Sequence, residues 1–215
     1  MPIAAAKLIE RAGEILLDEE HKRWLKPELI NWINDAARET IVRRPAARAV
    51  ATVLALKAGT RQEIPARGVE LLDVPRNIGA DGVKPGRAIR RCERALLDDQ
   101  NPDWHTLKPK NAARHFTFDE RSPRVFYVYP PVIEGTKVET LHSELPPEVT
   151  AETDTLDMGE EYINTLLDYM CFRALSKDSE FANGTIAAAH YQAFADAVGA
   201  NNETTTANSP NANHT

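Results

Sequence analysis

Pro27 and Pro45 bracket a helix near the start of the chain, and the texture turns strand-like directly after the second of them. Proline is accommodated in a first helical turn, where its missing N–H has no intrahelical partner to lose, whereas Pro45 disfavours helical geometry at Arg44. Both ends of the helix over residues 25–45 are therefore written into the chain. Leu29, Ile30, Ile33, Ala37 and Ile41 recur at helical spacing and form an apolar stripe that has to be covered, with Arg38, Glu39, Arg43 and Arg44 off it.

The other segments sort by the same rules. Ile3, Ala6, Ile9, Ala12 and Leu16 keep helical register over residues 3–17, and Gly13 weakens the second half, where fraying is expected. Asp18 to Arg23 read as a polar connector, with Trp24 and Leu25 as an apolar lid on the next helix. Val50–Leu56 and Arg61–Ile64, joined by Ala58-Gly59-Thr60, predict a β-hairpin. Residues 66–87, rich in Gly, Pro and Asn, predict a loop anchored by Leu71, Leu72 and Val74. Ala88–Leu97 fits helix and strand about equally and is assigned to strand, and 98–112 to a second polar loop. His115 to Asp119 and Val125 to Tyr129, stopped by Pro130-Pro131, predict an antiparallel hairpin that Lys137–Ser143 can extend.

Pro146-Pro147 opens an acidic linker. Tyr162, Ile163, Leu166, Leu167, Tyr169, Met170, Phe172, Ala174 and Leu175 then predict a helix largely surrounded by protein. Ser176 to Ser179 form a break and cap, and Phe181, Ile186, Ala189, Phe194 and Val198 an amphipathic helix ending at Gly199. Residues 201–215 hold no large apolar side chain and are expected to be disordered unless a partner orders them. The expected fold class is α+β: a helical bundle built from both chain ends, 1–48 and 155–199, with an antiparallel β region and long loops inserted at 49–154 and a tail at 200–215.

Function is narrowed first by absences. The chain has no Gly-rich phosphate loop, HExxH helix, GxSxG elbow or EF-hand loop. Asp98, Asp99, Asp103 and His105 lack ligand spacing and read as a solvated loop. Glu19, Glu20 and His21 are consecutive and point in different directions. His115 and His142 are expected to face each other across one sheet as structural histidines, and Cys92 and Cys171 to be buried free thiols. No catalytic residue, cofactor or metal is expected. No apolar run approaches the ~20 residues of a membrane span, and the N-terminus lacks the pattern of a secretory signal, so cytosolic synthesis without a membrane anchor is the expectation.

Charge is distributed unevenly. Lys and Arg exceed Asp and Glu by 5 over residues 1–94, whereas acids are in excess by 11 over 95–215. Arg76, Lys84, Arg87, Arg90, Arg91 and Arg94 face only Asp81 and Glu93 within 76–94, and Glu139 to Glu161 carries eight acids and no base. The basic stretch suits sequence-independent phosphate contact, since it lacks the patterns of base recognition. An ordinary solvated surface is the other reading.

Leu29-Ile-Asn-Trp-Ile-Asn-Asp-Ala36, Ala58-Gly-Thr-Arg-Gln-Glu-Ile-Pro65, Leu72-Asp-Val-Pro-Arg-Asn77, Asp103-Trp-His105, Phe118-Asp-Glu-Arg-Ser-Pro123, Phe126-Tyr-Val-Tyr-Pro-Pro131 and Phe172-Arg-Ala-Leu-Ser-Lys-Asp178 carry a resemblance. In this order and spacing they resemble the head-to-tail adaptor (connector) proteins of tailed bacteriophages over about residues 25–198. The resemblance implies a structural virion protein, not an enzyme, made in the host cytoplasm. It further implies a ring, commonly of twelve subunits, that docks beneath the portal and hands the DNA channel on to the tail or nozzle. The family has no catalytic motif, so no active-site residue carries over. Within this frame Arg38, Glu39, Arg43 and Arg44 are candidates for contact with the next subunit. Arg76, Lys84, Arg87, Arg90, Arg91 and Arg94 are candidates for lining the channel or meeting a neighbour's acidic 139–161 segment, and Asn201, Asn202, Asn208, Asn211 and Asn213 for portal docking. The alternatives are another virion ring, such as a tail-tube or head completion protein, a non-specific DNA-binding protein working free of the virion, and an enzyme using the Asp98 to His105 loop.

Overall fold

The computed structural model describes residues 1–177 and 180–207. In chain order its elements begin with β1 (Ile3–Ala4), α1 (Ala5–Ile15) and α2 (Lys26–Arg43). There follow β2 (Ala49–Ala55), β3 (Gly59–Glu63), β4 (Gly68–Ile78), β5 (Pro85–Ala88), β6 (Arg90–Arg91), α3 (Arg94–Gln100), β7 (His115–Phe118), β8 (Val125–Val132) and β9 (Lys137–Glu144). The last are β10 (Thr155–Leu156), α4 (Ile163–Ser176) and α5 (Gly184–Ala207). The chain divides into two compact units, Met1–Arg48 with Leu145–Thr215, and Ala49–Glu144.

In the helical unit α1, α2 and α5 all pack on α4, and β1 pairs antiparallel with β10. Ile163, Leu166, Leu167, Met170, Cys171 and Ala174 of α4 are buried. The stripe of α2 is covered as its spacing requires, with Trp32, Ala36 and Thr40 buried as well and Ile30 only half covered. Each fully buried Leu or Ile in such a seam contributes about 1.5–3 kcal/mol. Pro27 stands in the first turn and the helix stops at Arg43, before Pro45.

α1 runs through Gly13 to Ile15, two residues short of the span its apolar spacing predicts. Gly13 is buried, and a Cβ there would lie 2.8 Å from His21 Cε1 and 3.2 Å from the Asp18 carbonyl oxygen, so the glycine admits the following loop against the helix. That loop is built on Asp18, whose carboxylate accepts the N–H groups of Lys22, Arg23 and Trp24 at 3.0, 2.9 and 3.0 Å. The bonds deliver Trp24 to the core, while Leu25, the other half of the expected lid, stays exposed. Burial alone would push the Asp18 carboxyl up, but the three amides outweigh it and, with His21 nearby, hold it below the usual carboxylate range. A group whose pKa is depressed by folding stabilises above its ordinary pKa and loses that contribution as pH falls through the folded value. Asp18→Ala is therefore expected to cost about 1–3 kcal/mol at neutral pH. In thermal melts the gap from the wild type should narrow below about pH 4 and close once Asp18 is protonated.

The acidic linker is structured and belongs to this unit. Asn34 donates to the Val149 carbonyl at 2.8 Å and accepts the Val149 N–H at 2.9 Å, seating Val149 in the core. The last helix is capped by Asn183; of the Ser176 to Ser179 stretch expected to break and cap it, Asp178 and Ser179 lie outside the described residues. The Asn183 side chain accepts the Ile186 N–H at 3.2 Å, and its N–H bonds the Leu175 carbonyl at 3.0 Å. The helix passes through Gly199 and continues to Ala207.

The inserted unit is a sandwich of two four-stranded sheets, β2-β9-β4-β5 and β3-β8-β7-β6, antiparallel except for the β6–β7 pair. Leu71, Val74, Phe116, Phe126, Val128 and Val138 are among the side chains filling the space between them. The predicted β7–β8 hairpin is present, in register from His115↔Tyr129 to Phe118↔Phe126. Pro130 and Pro131 do not stop β8, because Pro131 is needed there only as an acceptor, for the Lys110 N–H at 2.8 Å.

Four sequence expectations fail here for identifiable reasons. The 50–64 hairpin does not form: β2 pairs with β9 and β3 with β8, in different sheets. The buried Gln62 side chain accepts the Lys57 N–H and donates to the Lys57 carbonyl, both at 2.8 Å, which folds 57–59 around itself and turns the chain from one sheet to the other. Likewise β9 does not extend the β7–β8 hairpin but joins the other sheet. Residues 66–87 are not a loop, since β4 is an eleven-residue inner strand. Register shifts between Gly68/Glu70, Leu71/Asp73 and Asp73/Arg76 bury Gly68, Leu71, Val74 and Asn77, every third residue in place of every second. Finally, Arg94 to Leu97 belong to α3, where Arg94 bonds Asp98 one turn on at 3.2 Å.

Candidate nucleic-acid interface

The basic stretch lies where the chain leaves one sheet of the sandwich for the other. β5 is the edge of the first sheet and β6 the edge of the second. Between them only Ile89 is buried, its N–H on the Pro75 carbonyl at 2.9 Å. All four residues of β5 and both of β6 are exposed, which leaves Arg87, Arg90 and Arg91 facing outward from adjacent edges.

Two residues fix this layout. Gly86 permits close contact, since a Cβ there would lie 2.9 Å from the Asn77 carbonyl oxygen. Asn77, 5% exposed, donates to the carbonyls of Arg87 at 2.9 Å and Ala113 at 2.8 Å and accepts the Ala113 N–H at 2.8 Å. It ties β4 to β5 and to the segment before β7. Through that segment Arg114 joins the cluster, its carbonyl accepting the Arg90 N–H at 3.1 Å. At the β4–β5 turn the Asp81 carboxylate accepts the N–H groups of Val83 and Lys84, both at 3.0 Å, and these amides hold its pKa down.

The six predicted basic residues do not share one fate. Arg76 is paired with Glu139 and Arg94 with Asp98, and the Arg91 guanidinium lies 4.6 Å above the Phe118 ring. Among the described residues Lys84, Arg87, Arg90 and Arg114 have no carboxylate partner and are exposed. His115 sits among them. Burial is the main reason its pKa lies below the ordinary histidine value; the Arg90 carbonyl opposes this, and the guanidinium groups of Arg90, Arg114 and Arg87 add to it. Uncompensated positive charge on an exposed edge suits a polyanion's phosphates, whose bound counterions it would displace. Arg114 and Asn77 were missed in the sequence, Arg114 because it lies far along the chain from the basic run.

The remaining candidate residues are placed as follows. Glu144, Glu148, Glu152 and Asp157 are paired with Arg67, Arg38, Lys26 and Arg48 of their own units, so most of the acidic stretch is engaged within the chain. On α2, Arg38 is exposed and bonded to Asp35 and Glu148. Arg43 holds Glu39 at 2.6 Å, donates to Tyr191 Oη at 2.8 Å and lies over the Tyr191 and Phe194 rings. Arg44 lies over the Tyr162 ring. Asn201 and Asn202 fall within α5; Asn208, Asn211 and Asn213 lie outside the described residues.

The reactive groupings weighed in the sequence are otherwise occupied. Asp98 accepts the Trp104 indole N–H at 2.9 Å, and His105 shares a hydrogen bond with Thr60 at 2.8 Å while stacked on Trp104. His115 and His142 stand on different sheets, not across one, and Nδ1 of each is buried without a partner. Burial pushes the Cys171 thiol up to about 12, Asp168 adding to it, and raises Cys92 as well. Among the described residues no group of three or more His, Cys, Asp or Glu is placed to hold a metal, and no helix is long and apolar enough to cross a membrane.

Comparison with known proteins adds one finding. A family model described as SU10 adaptor protein matches residues 3–214, nearly the whole chain. No curated protein matches it.

Proposed function

The chain belongs to the SU10 adaptor protein family, a family of phage head-to-tail adaptors and not of enzymes, and on that basis we propose that its copies form a ring joining portal to tail or nozzle around the DNA. The family match carries this reading, and the basic edge gives it a chemical content. Lys84, Arg87, Arg90 and Arg114 are the groups we assign to the DNA side, where unspecific phosphate contact lets a duplex pass in any register. Twelve is the ring number that the family resemblance suggests. We assign portal docking to the chain's end beyond Gly199, and contact between subunits to the exposed charged side of α2. Arg38 is the residue of choice for testing that contact, because its pairs with Asp35 and Glu148 are exposed and worth little to the fold, whereas Arg43 is bonded to Tyr191 and packed over the Tyr191 and Phe194 rings.

Electron microscopy and native mass measurement of the purified chain, with and without portal, test the reading. Closed rings seated on the portal are expected, and a chain ending at Gly199 is expected to lose portal binding. A full-length chain that stays unassembled in the presence of portal would overturn it. Reversing Arg87, Arg90 and Arg114 together to Glu should leave ring formation intact. It should weaken binding of duplex DNA by the assembled ring about tenfold or more at low salt, with a shallower salt dependence. Unchanged DNA binding at every salt concentration would place the DNA against another surface.

A further inference from the structure

The sandwich has four sheet edges, and they are not alike. β5 contains Pro85 and Arg87, and β6 consists of Arg90 and Arg91. β3 carries exposed Arg61 and Glu63 and a break in register after Gly59. Charges, prolines and irregularities are the features that stop a strand edge from recruiting another chain. β2 has none of them: Ala49-Val-Ala-Thr-Val-Leu-Ala55 is uncharged, contains no proline, and pairs with β9 through seven consecutive residues without a shift. Its Ala49, Ala51, Val53 and Ala55 are exposed, Val53 by 48%.

The geometry points to β2 as a strand-addition site whose occupant is β2 of a second copy of this chain, antiparallel about a twofold axis through Thr52. In that register Ala49 meets Ala55, Val50 meets Leu54, Ala51 meets Val53 and Thr52 meets itself. No charge opposes a like charge, and the flanking Arg48 and Lys57 fall opposite Leu56 and Ala47. Thr52 already faces a threonine on its other side, with its hydroxyl 3.3 Å from that of Thr140. The same operation on β3 sets Arg61 against Arg61 and on β6 sets Arg90 against Arg91, while β5 is only four residues long and starts on Pro85, so among the described edge strands of this unit β2 is the one that tolerates its own copy. Such a pairing joins two four-stranded sheets into one of eight. It also consumes both exposed edges at once, so the contact is closed and does not propagate into a fibre. It depends on the inserted unit alone and concerns the free chain: a ring with portal at one end and tail at the other has no twofold axis between its subunits, so the pair separates where the ring forms.

Sedimentation of the full chain without portal tests it. A dimer is expected, Val53→Lys should weaken it about tenfold or more, and Val53→Thr, which keeps a β-branched neutral residue, should retain it. In a Cys92→Ser background, Thr52→Cys should form a disulfide-linked dimer under mild oxidation, and Glu63→Cys should not. A wild-type chain that is monomeric at high concentration and gives no Thr52→Cys cross-link would overturn the proposal. So would an assembly whose mass is unchanged by Val53→Lys with circular dichroism reporting a native fold. Either result leaves portal-dependent ring formation, measured separately, untouched.

Discussion

Trp104→Ala is expected to lower the free energy of unfolding by about 3–5 kcal/mol, the range for emptying a buried tryptophan site. Trp104 is fully buried although it sits in a polar stretch. Its ring stacks on His105 and meets Tyr127 and Tyr129 edge to face, at centroid distances of 6.4 and 6.2 Å. Its indole N–H reaches back to Asp98, near the end of α3, so the single side chain fastens α3 to β8. The carboxylate feels the bond: the indole donor, against the opposing effect of burial and with Arg94 and His105 adding to it, holds the Asp98 pKa down. Trp104→Phe keeps most of the packing and should retain most of the stability, losing chiefly the order of α3. Urea denaturation followed by circular dichroism measures the first effect, and hydrogen exchange over Arg94–Gln100 the second. A loss below about 1 kcal/mol for Trp104→Ala would mean that the site collapses around the smaller residue.

Asn77→Ala should cost about 2–4 kcal/mol, because it leaves the Ala113 N–H and two carbonyls without partners and their pairing cannot be restored by an alanine. Asn77 accounts for the distance between Arg87 and Arg114 as well as for stability. Faster exchange of the Ala113 amide should therefore accompany the loss and, on the ring and DNA-side assignment proposed above, weaker DNA binding as well, although no charge has been removed. Asn77→Asp should fare no better: it keeps an acceptor for Ala113 but gives up both donated bonds and places a carboxylate in a buried position. If Asn77→Ala unfolded at the wild-type urea midpoint, water would have to be satisfying the three groups.

The parts of the fold that were legible are those in which periodicity and punctuation agree. The helix of Leu29, Ile33, Ala37 and Ile41 has both, and so does the pair of strands around Phe116 and Phe126. What could not be read was set by contacts between distant residues. In β4 each bulge advances the phase by one, which spaces the buried residues by three and hides the strand from an alternation test. Gly59 is placed as a hairpin glycine would be, but the partners of the two strands lie more than sixty residues away, and Gln62 makes the corner by side-chain bonds that spacing does not announce. For the basic surface, the run of arginines from 76 to 94 was visible, whereas the division between paired and unpaired members was not. Glu139 neutralises Arg76 from a strand sixty-three residues on, and Arg114 enters from the far side of a loop. Asp18, Asn77 and Trp104 carry the least conspicuous signals and the largest local consequences, since each is a polar or aromatic residue in a stretch that composition alone marks as surface.

The inserted sandwich begins with β2 at Ala49 and ends with β9 at Glu144, and these strands are hydrogen-bonded neighbours from their outermost pair, Ala49↔Ser143. Antiparallel neighbours hold their Cα atoms about 5 Å apart. The helical unit therefore needs only two adjacent attachment points and is indifferent to what lies between them. An insert whose two ends are neighbours can in principle be lengthened, shortened or replaced without moving the helices, provided that the substitute starts and finishes on a matched strand pair.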